Sequence, residues 1–426
     1  MVDIKIIREQ PDIVRTALNN KHETGALEKF DRIITLDKAR RDAIKNVEEK
    51  KAELNKISER IGMAKRKGEA ADAKDMTDSA NLSGDIKELD KELHDVDTQL
   101  NELLLWIPNI PHESVPVGAS AKDNKIEKTW GELPPNEFRR LDHMELSKKF
   151  GLFDFERGAK ISGSGFPVYT GKGAKLERAL INFMLDVQTN EHGYKEIFPP
   201  FVVNELSLRG TAQIPKSFED MYRCADDDLF LIPTAEVPLT NLHRDETLKG
   251  EELPIKYSGY SACFRREAGS YGRDTKGFLR VHEFNKVELV KFAAPETSFD
   301  ELESLTRNAE TILEKLNIPY RRMLLCTGDM SFASAKTYDL EAWAPAEQKW
   351  LEVSSCSNLM DFQARRANIR FKRDAKSKPE FVHTLNGSGL ATSRLIVALL
   401  ENHQTPDGTV IIPKALQPYT GFAVIS

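Results

Sequence analysis

Between Leu27 and Leu105, apolar residues recur at alternating steps of three and four through a charged background, and this repeat restricts the fold more than any other feature of the chain. Ile33, Leu36, Ala43, Val47, Leu54, Ile57 and Ile61 keep the seven-residue period, with Arg40 and Lys50 as polar interruptions in the same phase. Leu82, Ile86, Leu89, Leu93, Val96, Leu100 and Leu103 keep it without a break. Such spacing lines one stripe of a helix that supercoils against another helix. Heptads taken alone more often mean a coiled coil between two chains. Here the repeat is interrupted by GMAKRKGEAADAKDM, with Gly62 and Gly68 as the expected turn points, so the halves are predicted to pair with each other as an antiparallel hairpin. The basic cluster Lys65, Arg66, Lys67 falls near the tip. It can meet phosphates there, although such clusters are more often simply solvated.

The 426 residues suffice for two domains and a substantial core. A net charge of -6 argues against wholesale coating of nucleic acid, so any RNA contact has to come from local basic patches. The first residues lack the apolar core of a signal peptide and no run is long enough to cross a bilayer, which makes the cytoplasm the expected location. Cys224, Cys263, Cys326 and Cys356 have no paired spacing; neither a zinc motif nor a disulfide framework is expected, and each reads as a small core residue.

After the repeat, Trp106 to Pro135 is rich in proline and glycine and reads as a linker. The predicted division is therefore an arm at 1–110, a linker at 111–135 and a larger domain at 136–426. Helical spacing runs from Leu176 to Gln188, followed by a strand-like run containing Pro200. LFLIPTAEVPLTNLH opens a buried strand onto Thr234, Ala235 and Glu236, a triplet that by itself fits a helix start with a first-turn Glu. ACFRREAGSYGRDTKGFLRVHEFNKVEL, Ala262 to Leu289, reads as strand, long loop and antiparallel strand. Alternation puts Cys263, Arg265 and Glu267 on one face, and His282, Phe284, Lys286 and Glu288 on one face of the second strand. Phe284 and Glu288 then stand roughly 13 Å apart, which suits a ligand with a flat ring at one end, a small cationic or hydroxylated group at the other, and a phosphate held by an arginine between them. Ser298 to Leu316 is amphipathic and helical. In YDLEAWAPAEQKWLEVSSCSNLM, Glu352 and Ser355 offer hard oxygen ligands suited to Mg²⁺. HTLNGSGLATSRLIVALLENHQ couples a Gly-rich turn to a helix carrying Arg394.

These stretches, in this order, resemble motifs 1, 2 and 3 of the class II aminoacyl-tRNA synthetases, and within them the bacterial-type seryl-tRNA synthetases, over essentially the whole chain. The resemblance implies an α+β fold: an N-terminal antiparallel coiled-coil hairpin that reaches tRNA, then an antiparallel β-sheet catalytic domain of six or seven strands flanked by helices, in a homodimer joined through motif 1. It implies serine activation by ATP and transfer to tRNA(Ser), and to the selenocysteine tRNA where the host has one. Thr234, Ala235, Glu236, Arg265, Glu288 and Ser388 would hold serine. Arg265, Arg266, Glu267, Val281, Phe284, Glu352, Val353, Ser354, Ser355 and Arg394 would hold ATP, with Arg265 and Arg394 catalytic and Mg²⁺ shared by Glu352 and Ser355. No zinc ion is expected.

The chain departs from the family pattern at Arg266, where bacterial members commonly have serine. Alternation turns Arg266 away from its neighbours, which points to a peripheral role. Threonine- or proline-charging relatives share the three motifs but are disfavoured by the hairpin and the Thr-Ala-Glu triplet. A silent RNA-binding paralogue has no need of Arg265, Glu288, Glu352 and Arg394 together, and a coiled-coil scaffold accounts for the first quarter of the chain alone.

Overall fold

The heptads form two long helices in the computed structural model, which describes residues 1–268 and 276–426. The Gly-rich part of the loop expected after Arg266, residues 269–275, lies outside the described residues. Two short helices, α1 (Ile4–Glu9) and α2 (Pro11–Asn20), precede α3 (Leu27–Arg66) and α4 (Ala73–Leu104). Ile33, Val47 and Ile57 on α3 and Ile86 and Leu100 on α4 are buried, and the remaining seam positions are half-buried, as expected for two helices with only each other to pack on. The polar seam positions are answered across the hairpin: Arg40 pairs with Asp97, and Lys50 with Asp85 at 2.6 Å. Near the other end Arg60 donates to both oxygens of Asp75. At the base Arg8 grips Asp37 through two hydrogen bonds of 2.9 and 2.8 Å. The turn uses Gly68, at φ +76°, and Asp72, whose side chain accepts from the Lys74 N–H to start α4. Gly62, expected at the turn, lies inside α3 instead. A lone glycine costs a helix only about 1 kcal/mol, which the continuing seam outweighs.

The chain divides into two compact units: residues 2–19 with 23–108, and Met1 and 20–22 with 109–426. The second is built on an eight-stranded sheet. Its strands in chain order are β1 (Lys125–Trp130), β2 (Lys195–Glu196), β3 (Ile255–Phe264), β4 (Glu283–Ala293), β5 (Tyr320–Leu324), β6 (Lys336–Ala344), β7 (Lys349–Met360) and β8 (His383–Ala391). The spatial order is β1-β5-β6-β7-β8-β4-β3-β2. All neighbours are antiparallel except β2 with β3. The sheet is thus wider than the six or seven antiparallel strands expected. One addition, β1, comes from the stretch read as linker: its KIEKTW sequence is too short and charged to show a strand pattern, yet it completes an edge beside β5, where Trp130 stacks on Tyr320.

Helices α5 (Gly171–Asn190), α7 (Ser298–Lys315) and α8 (Thr392–Asn402) share one core with the sheet, in which Leu180, Met184, Leu305, Ile312, Leu395 and Leu399 meet Val287, Leu289, Leu340 and Val353. A short helix between these, α6 (Glu236–Asn241), belongs to a second cluster with Val290 and Phe371. The Gly-rich segment expected as a turn before Arg394 is strand β8. Its glycines serve close packing: a Cβ on Gly387 would come within 2.4 Å of the Leu305 side chain. Cys263, Cys326 and Cys356 are buried and Cys224 half-buried, all as free thiols.

Candidate active site

Strands β3 and β4 pair in continuous register, placing Cys263 opposite Phe284 and Gly259 opposite Glu288. β3 ends at Phe264, and the pairing is prolonged by the Arg265 N–H, which donates to the His282 carbonyl at 2.9 Å. The Arg265 guanidinium lies over the Phe284 ring, 5.2 Å from its centre, with Nε donating to the Pro233 carbonyl at 3.3 Å. Glu267 reaches the same cavity by a route alternation does not describe. Its φ is +52°, and its carboxylate is bound by Arg280. Arg266, counted among the nucleotide contacts, turns the other way: Nη1 donates to the Glu219 carbonyl, and the side chain lines a separate small hollow with Tyr222 and Phe230.

One end of the cavity is a buried polar cluster. The Thr234 hydroxyl donates to Glu288 Oε2 at 3.0 Å and accepts from the Glu236 N–H at 3.1 Å. Lys286 Nζ is 2.5 Å from the same Glu288 oxygen, and Ser388 stands directly across from Glu288 on β8. Gln363 donates to Glu236 Oε1 at 2.7 Å. Burial, and then the charge of Glu288, push the Glu236 carboxyl up to about 7. Ala235, between the two polar members of its triplet, packs its methyl into the core beside Leu239 and presents no side chain to the cavity.

At the other end, Glu352 and Ser355 are three apart on β7, a spacing that puts strand residues on opposite faces. A bulge reconciles them. Ser355 pairs with Asp339 and Ser354 with Leu340, but Glu352, not Val353, pairs with Glu341, so the extra residue brings Glu352 and Ser355 onto the face carrying Asp339 and Glu341. Val353 sits in the helix-packed core, and Ser354 Oγ donates to the Ser388 carbonyl at 2.6 Å. Arg394, in the first turn of α8, donates from Nη1 to the Glu352 carbonyl at 2.9 Å and from Nε to the Leu279 carbonyl at 3.3 Å, with the Glu352 carboxylate 3.4 Å away. Ser355 faces Asp339 across the strand pair; burial and then Glu352 raise the Asp339 carboxyl well above the usual range, with Ser355 opposing them, while Asp339 Oδ1 is sealed and has no hydrogen-bond partner. This set of hard oxygens with one orphaned buried acceptor fits a small divalent cation such as Mg²⁺.

A single cavity of about 530 Å³ collects Thr234, Glu236, Arg265, Glu267, Val281, Phe284, Glu288, Glu352, Val353, Ser354, Ser355, Ser388 and Arg394, residues spread over more than 160 positions of sequence. It excludes the side chains of Ala235 and Arg266. It also includes Lys286, Asn386 and Arg280, to which the resemblance gave no role. Alternation from Glu288 already places Lys286 on the right face; Asn386 and Arg280 carry no local signal.

The N-terminal residues 1–111 match the model of the seryl-tRNA synthetase N-terminal domain, and residues 220–403 match that of the tRNA synthetase class II core domain (G, H, P, S and T). A serine–tRNA ligase of Chloroherpeton thalassium is 56% identical over 426 residues, covering 100% of both chains. Among solved structures, seryl-tRNA synthetase from Pyrococcus horikoshii complexed with ATP superposes with a TM-score of 0.94 at 42% identity, covering 100% of this chain and 99% of that one. The cytoplasmic serine–tRNA ligase of Naegleria fowleri in complex with AMP gives 0.88 at 31%, with the same coverage. Identity of this order along the full length leaves no room for a shared fold alone: the chain belongs to the seryl-tRNA synthetases, within the class II aminoacyl-tRNA synthetases.

Proposed function

We propose that the chain activates serine with ATP in the cavity between β4, β7 and β8, and then transfers it to tRNA. The observation that carries this reading is the meeting in one cavity of the Thr234–Glu288–Ser388 cluster with Arg265 and Arg394. The serine hydroxyl fits among Thr234, Glu288 and Ser388, and its ammonium beside Glu236. Phe284 offers a face for adenine, the Val281 backbone its edge, and Glu267 a further nucleotide contact. A serine carboxylate oxygen attacks the α-phosphorus, the bond to the bridging oxygen breaks, and pyrophosphate leaves. Arg265 and Arg394 neutralise charge on the phosphates as it redistributes, so positioning and electrostatics do the catalytic work without a protein nucleophile. Glu352 and Ser355 would hold Mg²⁺, which when bound with ATP supplies further charge neutralisation. In the second step a terminal ribose hydroxyl of the tRNA attacks the serine carbonyl and AMP departs.

The partners in this reading are tRNA(Ser), the selenocysteine tRNA where the host has one, and a second copy of the chain. Phe198 and Leu206, beside the motif 1 proline Pro200, are 75% and 62% exposed, which suits a surface that another subunit covers. Residues 1–110 are assigned to tRNA binding and 136–426 to catalysis. The location is the cytoplasm; among the described residues no helix is long and apolar enough to cross a membrane. The test is ATP–pyrophosphate exchange across a panel of amino acids. Serine alone should support exchange, with alanine rejected by about 10⁴-fold because it leaves buried polar groups unpaired; exchange driven better by threonine or proline would refute the reading.

A further inference from the structure

The bulge in β7 sets Glu352 and Ser355 on one face of the sheet, directly across from Glu341 and Asp339 of β6. The carboxylates of this patch differ in their company. Glu341 is paired with Arg321, and Glu352 lies 3.4 Å from Arg394. Asp339 has no cationic partner among the described residues; it stands directly across from Ser355 in the β6–β7 register, and its Oδ1 is sealed without a hydrogen-bond partner. A serine hydroxyl carries one hydrogen and two lone pairs, so engaging the hydrogen with Asp339 would leave both lone pairs for something else. We propose that Asp339 is a positioning residue for the divalent cation that accompanies ATP: it fixes the Ser355 hydroxyl with its lone pairs toward the cavity and presents an uncompensated acceptor behind it. This rests on the assignment of Glu352 and Ser355 to the cation. An acceptor behind a ligand of this kind acts on cation affinity, where its removal typically costs 10–100-fold, and leaves contacts to adenine and ribose alone.

The experiment is calorimetric titration of a non-hydrolysable ATP analogue into the full chain, with and without Mg²⁺, for Asp339→Asn, Ser355→Ala, the double variant and Glu352→Gln. The paramagnetic signal of bound Mn²⁺ in the same complexes gives a second readout independent of activity. Asn matches Asp in size, and a melting temperature close to the parent's shows that the fold is kept. The expected result is cation-free affinity within about twofold of the parent for Asp339→Asn, a Mg²⁺-dependent gain at least about tenfold smaller, and a double variant no worse than Ser355→Ala, since residues acting through one contact are not additive. A Mg²⁺-dependent gain unchanged in Asp339→Asn, losses that add in the double variant, or equal loss of cation-free binding would each overturn the proposal while the Glu352 and Ser355 assignment stands. If Glu352→Gln and Ser355→Ala both keep the full gain, the assignment falls, and the proposal with it.

Discussion

Glu236 is neutral about half the time near neutrality, because burial and the Glu288 charge raise its carboxyl to about 7. An ammonium ion placed beside it favours the ionised form, so serine binding should release a proton at pH below about 7 and little above it. The expected outcome is a serine affinity that falls up to about tenfold per pH unit below 7 and levels off above, with proton release visible as a dependence of calorimetric heat on buffer ionisation. Affinity constant from pH 5.5 to 8 would remove Glu236 from the ammonium site. Arg265 carries a different kind of contribution. Its guanidinium is already held over Phe284 and against the Pro233 carbonyl, so little ordering remains when phosphate arrives. Arg265→Ala should lower the exchange rate by about 10²-fold or more while leaving the melting temperature near that of the parent; near-parental exchange by the folded variant would contradict that role. By the same logic Glu288→Gln should weaken serine use far more than ATP binding, measured as separate Michaelis constants.

Where elements meet, Glu177 of α5 joins three of them. Its Oε1 accepts from Asn285 of β4 at 2.7 Å and from Thr392 at the start of α8 at 2.6 Å. Burial nonetheless raises its carboxyl to about 7, since the two hydrogen bonds only partly oppose desolvation. A carboxyl raised in the folded state contributes stability that is complete below its unfolded value of 4.5 and is lost as pH rises through about 7, a span on the order of 3 kcal/mol. Glu177→Gln keeps an acceptor for both donors and removes the titration, so it should gain melting temperature relative to the parent at pH 8 and little at pH 5; an equal shift at both values would show that the side chain is not the titrating group. The elements themselves were largely legible, because a heptad or an alternation is written in neighbouring residues: α3, α4, α7 and the β3–β4 pair sit where their periods put them. What the period could not show depends on partners far away in sequence. The bulge at Val353 exists only against β6, β1 is a strand only because β5 offers an edge, and Gly387 is extended because β4 and β7 pair with it, with Leu305 leaving no room there for a Cβ. Arg266 and Ala235 adjoin residues that line the cavity, but their own side chains lie elsewhere, which adjacency in sequence could not show.

At the level of the whole molecule, the residues assigned to serine and ATP all lie in the unit that runs from 109 to 426, and the hairpin buries its own seam. Replacing Leu27 to Leu105 by a short linker should therefore preserve serine-dependent pyrophosphate exchange and strongly impair transfer to tRNA, because a chain of net charge -6 needs a local basic device to orient a polyanion. Neutralising Lys65, Arg66 and Lys67 should give a milder, salt-sensitive defect if the tip touches RNA, largest at low salt and fading as salt screens the same contacts in the parent. Full charging by the armless protein would mark the hairpin as architectural. The ion pairs inside that hairpin carry one more consequence. An all-apolar seam could slide by a repeat and still bury itself, but Arg40 and Lys50 meet Asp97 and Asp85 in one alignment only. With its 40-residue helix α3, the arm is a gauge about 60 Å long, and it changes length only when both helices gain or lose a whole heptad together, in graduations of about 10 Å.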